Sequence, residues 1–471
     1  MKKGGSGIIG WVAIVWIGLL PGTISAQAGS VYPVETYLEQ VRTQYPLFLR
    51  AELQTARATA QQQIARGAFD PKLYGTFDQK EFKGKNYYRI GEAGVKVPTL
   101  PGIDVKAAYT WSDGVFLNPE ATLPEAGQLV AGVELRLGRG LLFDDRRAAL
   151  RQADLLTDLT LAERDLLRNE IILAAATAYW NWAFAYEQVR IYEQAAELTR
   201  RRLVLVRESF LQGDKPAIDT LETTIQLRNR EAAYLSAQQE LVTARLSLST
   251  FLWAGETPLV LHPDQQPMPL EGTVERVELI LENLVNHPKL RQFDLKRQQI
   301  ALKERLYRED LKPDIRASYN LLSDGTDFTP GSDGDGGFDQ LLTANYKWGV
   351  AIEYPLLQRK ARGNLELLRL DDLENDYNLR TTELDLRNKV LAYLQALDLL
   401  REQLLLQQEA QRGYELLLEA EREKFRIGES SIFLLNSREQ KLIEAQLKVQ
   451  KLRAELQKTG YKLRYAAGIL Q

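Results

Sequence analysis

The chain has 471 residues, with 60 Lys and Arg against 63 Asp and Glu, two histidines and no cysteine. Disulfides, thiol nucleophiles, thiolate metal sites and histidine-clustered zinc sites are therefore excluded. A formal charge of −3 gives no electrostatic reason to bind nucleic acid, and 26% charged residues is too many for a polytopic helical membrane protein.

Lys2 and Lys3 precede an apolar run over residues 8–20, which Pro21 and Gly22 break before the small residues Ser25 and Ala26. This is the three-part layout of a secretory signal peptide, expected over residues 1–28. The run is shorter than the ~20 residues a spanning helix needs. An exported mature chain without a transmembrane helix is expected.

Beyond it the chain repeats itself. Tyr45-Pro46 stands 25 residues before Asp70-Pro71, and His287-Pro288 stands 25 residues before Lys312-Pro313. The polar, Ala- and Leu-rich stretch between each pair predicts half-length helices over 34–68 and 274–311. After each second proline the residues alternate. Ile103, Val105, Ala107, Tyr109 and Trp111 share one parity, as do Leu129, Ala131, Val133 and Leu135. In the second half Ile315, Ala317, Tyr319 and Leu321 alternate with polar residues, and so do Tyr346, Trp348, Val350 and Ile352. Such runs fit transmembrane β-barrel strands or an ordinary antiparallel sheet with one oily face.

Very long helices follow over 147–213 and 362–428, with no proline inside either. Each closes on a matching phrase, Arg207-Glu208-Ser209-Phe210-Leu211-Gln212-Gly213 and Arg422-Glu423-Lys424-Phe425-Arg426-Ile427-Gly428. Return helices are predicted over 218–251 and 432–467. The chain thus divides into a first repeat (29–253), a Pro-rich lateral connector (254–273) and a second repeat (274–471). End to end, the half-length helices match the long ones, so each protomer supplies four antiparallel columns. Tyr179, Trp180 and Trp182 crowd the first long helix and are expected to pack on the connector. His262 and His287 lie in different segments and make no site. The Asp-rich stretch 323–339 reads either as a calcium loop or as a solvated external loop.

The ordered duplication resembles the TolC-type outer-membrane efflux proteins. The resemblance rests on Tyr45-Pro46 and His287-Pro288, on Pro71 and Pro313 where helix gives way to strand, on Tyr354-Pro355-Leu356-Leu357, and on the turns at Phe210-x-x-Gly213 and Phe425-x-Ile427-Gly428. It implies a mainly α fold with a membrane β-barrel part. Three chains would build an α-helical tunnel across the periplasm and a shared barrel in outer-membrane lipid. It implies no catalysis, cofactor or metal, and substrates delivered by an inner-membrane pump through a periplasmic adaptor protein. Phe210, Gly213, Asp214, Phe425, Gly428 and Glu429 would be the adaptor-docking tips, with both phenylalanines packed beneath their turns. Asp219 would constrict the entrance, and Phe433, Leu434 and Ser437 stand where the second turn would do so, with Leu435 beside them. Trp111, Tyr346 and Trp348 would sit at the membrane interface.

Two departures stand out. Arg139-Gly140 replaces the proline of the first strand-to-helix junction, where the second repeat has Pro355. The first repeat is also 23 residues longer between its second proline and its strand-end glutamate. The strand count is therefore four per protomer, or six, or four with a hairpin standing off the barrel. The competing reading is an exported helical scaffold with no channel activity. An enzyme finds least support, since no nucleophile elbow, phosphate loop or metal cluster appears.

Overall fold

A computed structural model describes residues 31–270, 284–323 and 345–470. The expected signal peptide, the end of the connector, the start of the second repeat and the Asp-rich loop beyond Ser323 lie outside the described residues.

The chain opens with a short strand β1 (Val31–Tyr32), then α1 (Val34–Gln44) and α2 (Pro46–Arg66). The expected single helix is thus two. Pro46 occupies the first turn of α2, and Tyr45 before it is extended (φ −70°, ψ 123°), because a residue preceding proline is pushed out of the helical region. Four strands follow: β2 (Lys72–Phe82), β3 (Lys85–Pro98), β4 (Ile103–Asp113) and β5 (Gln128–Arg136). Helix α3 (Asp145–Leu211) then runs for 67 residues, about 100 Å, and α4 (Ala217–Ser249) returns. Three two-residue strands mark the connector: β6 (Trp253–Ala254), β7 (Thr257–Pro258) and β8 (Gln266–Pro267). The second repeat gives α5 (Pro288–Glu309), β9 (Asp314–Leu322), β10 (Tyr346–Glu353), α6 (Arg359–Arg426) and α7 (Ile432–Ala466).

The helices form four columns. Helix α3 packs on α4 and α7 in the half near the glycine turns, and on α2 and α5 in the half near the sheet; α6 packs on α5 and α7. Where the half-length helices leave a gap, α1 and the connector form a belt. Its core holds Tyr37, Tyr179, Trp182, Leu248 and Leu261, each at most 5% exposed. The Tyr179 hydroxyl donates to the Tyr32 carbonyl at 2.5 Å and accepts from the Met268 amide at 3.0 Å. The aromatic crowding on α3 is therefore packing against the connector.

The strands make one antiparallel sheet in the order β10-β9-β5-β4-β3-β2. Among the described residues this sheet has six strands, and neither the hairpin expected around 94–97 and 103–111 nor β2 stands off it: β3 pairs with β2 on one side and, from Arg89 to Pro98, with β4 on the other. Register places all the alternating apolar residues on one face: Val105 opposes Val133, Val133 opposes Tyr319, and Tyr319 opposes Trp348. The other face carries Lys96, Asp104, Lys106, Glu92 and Glu134. Lys106 pairs with Glu92 at 2.6 Å, and Lys96 with Glu134 at 2.8 Å and Asp104 at 3.4 Å. Among the described residues no helix is long and apolar enough to cross a membrane.

Candidate functional site

The functional features run along the length of the molecule, from the sheet through its junctions to the helix tips. At the sheet, Tyr109 stacks on Trp111 (5.9 Å between centroids) and Tyr319 on Tyr346 (5.7 Å), all on the apolar face. Trp348 beside them is 65% exposed. A sheet with one apolar, aromatic-bearing face and one charged face suits lipid on one side and water on the other.

Three of the chain passages between helix and sheet are tied to one another. Pro71 and Pro313 lead out of α2 and α5 into β2 and β9, and Pro355 lies between β10 and α6. At the last junction Gln358 has φ 49° and donates from its amide to the Leu311 carbonyl at 3.0 Å. The first junction achieves the same end without proline. The Arg139 amide donates to the Pro313 carbonyl at 2.7 Å, and its guanidinium meets Asp310 at 2.7 Å. Asp144 caps α3, accepting from the Arg147 amide at 3.0 Å. Burial opposes ionisation of Asp144, but the Arg147 amide and the guanidiniums of Arg147 and Arg146 outweigh it, and its carboxyl is held below the ordinary range. Arg146 reaches on to Asp104 of β4 at 2.9 Å, so helix start and sheet form one charged network.

At the far end both turns close alike. Gly213 and Gly428 each have φ +83°, a conformation that costs other residues about 1–2 kcal/mol. The Asp214 amide donates to the Ser209 carbonyl at 2.9 Å and the Glu429 amide to that of Lys424 at 2.8 Å, the helix-ending pattern that glycine permits. Phe425 packs against Val206, Leu418, Ile432 and Leu435, with Lys215 over its ring at 4.7 Å. Phe210 differs from expectation: it is 40% exposed, because the second hairpin packs against Val206, one turn before it. Asp219 is half-buried, while Phe433, Leu434 and Ser437 are exposed. Leu435, expected beside them, is buried in the tip cluster.

Just behind the tips lies a charge cluster not foreseen from the sequence. Arg202 of α3 grips Glu439 of α7 through both nitrogens and reaches Asn436 at 3.1 Å. Arg422 approaches Glu439 at 3.3 Å, and Asn436 donates to Glu222 of α4 at 3.3 Å. Arg230 of α4, only 3% exposed, donates to Gln440 at 2.6 Å, and burial lowers its pKa. All four tip helices meet here. The available signal was a charge on a buried helix face: Thr223, Leu227, Arg230 and Ala237 share one stripe.

His287 caps α5, its Nδ1 accepting from the Lys289 amide at 3.1 Å, and His262 lies apart in the connector beside Asp264. Burial pushes the His287 pKa down to about 4, so it is a neutral structural cap.

The comparisons agree with this architecture. The sequence pattern of the outer membrane efflux protein family matches residues 93–252 and 279–469. Direct sequence comparison with curated proteins gives no match. Among solved structures, the chain is similar to the Neisseria gonorrhoeae MtrE outer membrane channel in its open state, at 16% identity over 93% of this chain and 89% of that one, with a TM-score of 0.67. It is similar to the Vibrio cholerae outer membrane protein VceC at 15% identity over 92% and 96%, with a TM-score of 0.66. The Campylobacter jejuni CmeC outer membrane channel matches at 14% identity over 92% and 85%, with a TM-score of 0.64. With both repeats matched over most of their length, the chain belongs to the outer membrane efflux protein family, whose members are transport channels and not enzymes.

Proposed function

We propose that three copies of this chain assemble into an outer-membrane export channel continued by a long periplasmic tunnel. The carrying observation is that each protomer is open at both sides. Its sheet ends on two free edges, β2 and β10, and unpaired strand edges are not tolerated in a bilayer. Its outer helical columns present exposed apolar seams. On α4, Ile218, Ile225 and Leu246 lie at multiples of seven residues, with Leu221, Leu235 and Val242 on the companion row. On α6, Leu370, Tyr377, Leu384 and Leu391 recur every seven residues, two of them about 60% exposed. Heptad seams of this kind are covered by a neighbouring helix, and a closed ring of protomers covers them all.

The tips at Phe210, Gly213, Asp214, Phe425, Gly428 and Glu429 then face the periplasm and dock the adaptor protein of an inner-membrane pump, which supplies energy and cargo. Exposed Phe210, with Leu211 and Ile427 beside the same turns, offers the apolar contact. Asp219, Phe433, Leu434 and Ser437 line the entrance. The polar sheet face lines the barrel, so cargo leaves through water. The test is a mass measurement of the detergent-extracted particle together with planar-bilayer recording. Three chains per particle and discrete conductance steps are expected; a buffer-soluble single chain would remove the proposal in favour of a scaffold.

A further inference from the structure

We infer that the barrel wall has eighteen strands, closed by β2 of each protomer pairing with β10 of the next in one specific register. The inference rests on the trimer proposed above. The family match begins at residue 93, so β2 and the first part of β3 lie outside the shared pattern, whereas the resemblance alone implies four strands per chain.

The hairpin has the chemistry of wall, not of an appendage. Leu73, Phe77 and Val95 fall on the same face as Trp111 and Tyr109, since Phe77 opposes Gly91 and Gly91 opposes Trp111. Leu73 is 83% exposed and Phe77 59% exposed on that face, an arrangement suited to lipid. Its other face joins the charged ladder through Glu92–Lys106 and Lys96–Glu134. Strand β2 leaves a helix column and β10 enters one, so they run in opposite directions and meet as an antiparallel pair.

One register satisfies every constraint. Six residues separate Lys72 from Asp78, and six separate Lys347 from Glu353. Setting Lys72 opposite Glu353 of the next copy therefore sets Asp78 opposite Lys347, both on the charged face. The same setting brings Leu73 opposite Ile352 and Phe77 opposite Trp348 on the lipid face. A one-residue slip would put apolar against charged. Pairing within one protomer leads from Lys347 through Asn320, Gly132, Lys106 and Lys96 to Lys72. The new contact continues from Lys72 to Glu353, an advance of six residues down β10 per protomer. With ~3.3 Å per residue along a strand and ~4.8 Å between strands, the strand tilt is about 35°, within the usual range for membrane barrels. Slipping two residues one way lowers the tilt to about 25°. Slipping two the other way sets Lys80 against Lys347 and Pro355 against Lys72.

The consequence is a wide mouth. Eighteen strands at this tilt give a backbone diameter of about 34 Å, against about 23 Å for twelve. Twelve helical columns spaced ~8–10 Å apart give a tunnel of about 31–39 Å. The barrel then continues the bore of the tunnel without narrowing it.

The chain contains no cysteine, so the register can be read by cross-linking without background. Thr76→Cys with Gly349→Cys places two sulfurs on directly opposed residues of the charged face. Oxidation in isolated outer membranes is expected to give a covalent three-chain product. Thr76→Cys with Ala351→Cys lies two residues out of register and should give about tenfold less, since bridged Cα atoms must lie within ~7 Å. Electron cryomicroscopy of the unmodified particle should count eighteen strands. Twelve strands, or no Thr76/Gly349 product in particles of three-chain mass, overturns the inference and leaves the trimer standing. A particle of single-chain mass overturns both.

Discussion

Breaking the Arg202–Glu439 pair should loosen the tips. The side chains of Arg202 and Glu439 are 12% and 8% exposed, and the pair joins α3 of the first hairpin to α7 of the second. Glu439→Gln keeps the shape but leaves Arg202 and Arg422 facing a neutral amide. Removing one partner of a buried pair costs about 3–5 kcal/mol; the access of water to Arg202 favours the lower figure. About 3 kcal/mol is roughly a hundredfold change in a two-state equilibrium between packed and separated hairpins. Hydrogen exchange across residues 200–210 and 433–443 should accelerate by that order, with little change in the belt around Trp182. In planar bilayers the variant should conduct more than the parent. Arg202→Met combined with Glu439→Leu removes both charges and should recover most of the loss, because apolar replacement of a whole buried pair is often neutral. If Glu439→Gln exchanges like the parent, or the double variant is as loose as the single one, the pair does not clamp the tips.

Other outcomes follow from the same geometry. Gly428→Ala should destabilise its turn by about 1–2 kcal/mol and expose it to proteolysis, with Gly428→Asn milder; an added Cβ meets nothing within 4 Å there, so the backbone conformation alone is tested. Asp219→Ala should abolish any block of conductance by multivalent cations applied from the tip side, and unchanged block would remove Asp219 from the entrance. His287 has a folded pKa of about 4 against 6.5 unfolded, so its contribution is intact above pH 6.5 and declines as the pH falls toward 4. The full difference corresponds to about 3 kcal/mol, which water access reduces to about 1–2 kcal/mol. His287→Asn, which can still cap α5, should flatten the acid limb of thermal stability between those pH values.

The duplication, the long helices and the glycine turns were legible because local chemistry dictates them. Gly213 and Gly428, each ending a matching phrase, mark where the long helices reverse, and the prolines mark where helix gives way to strand. The break between α1 and α2 was signalled by Pro46 but hidden by the continuous helical composition around it. Strand β2 is hard to read locally because its outer half, Asp78-Gln79-Lys80-Glu81, loses the apolar alternation that the other strands keep. The Arg202–Glu439 clamp joins residues more than two hundred positions apart, and no local pattern announces such a contact. The exposure of Phe210 is likewise a packing outcome, since equivalent phrases end both long helices and only Phe425 finds a cluster.

As a closed trimer, this chain should form a water-filled passage through a lipid bilayer. Planar-bilayer recording of the purified particle, with and without the Glu439→Gln substitution, tests it most directly. Discrete steps from three-chain particles are expected, larger when the tips are loosened. Folded three-chain particles that insert into the bilayer and never conduct, in either form, would contradict it.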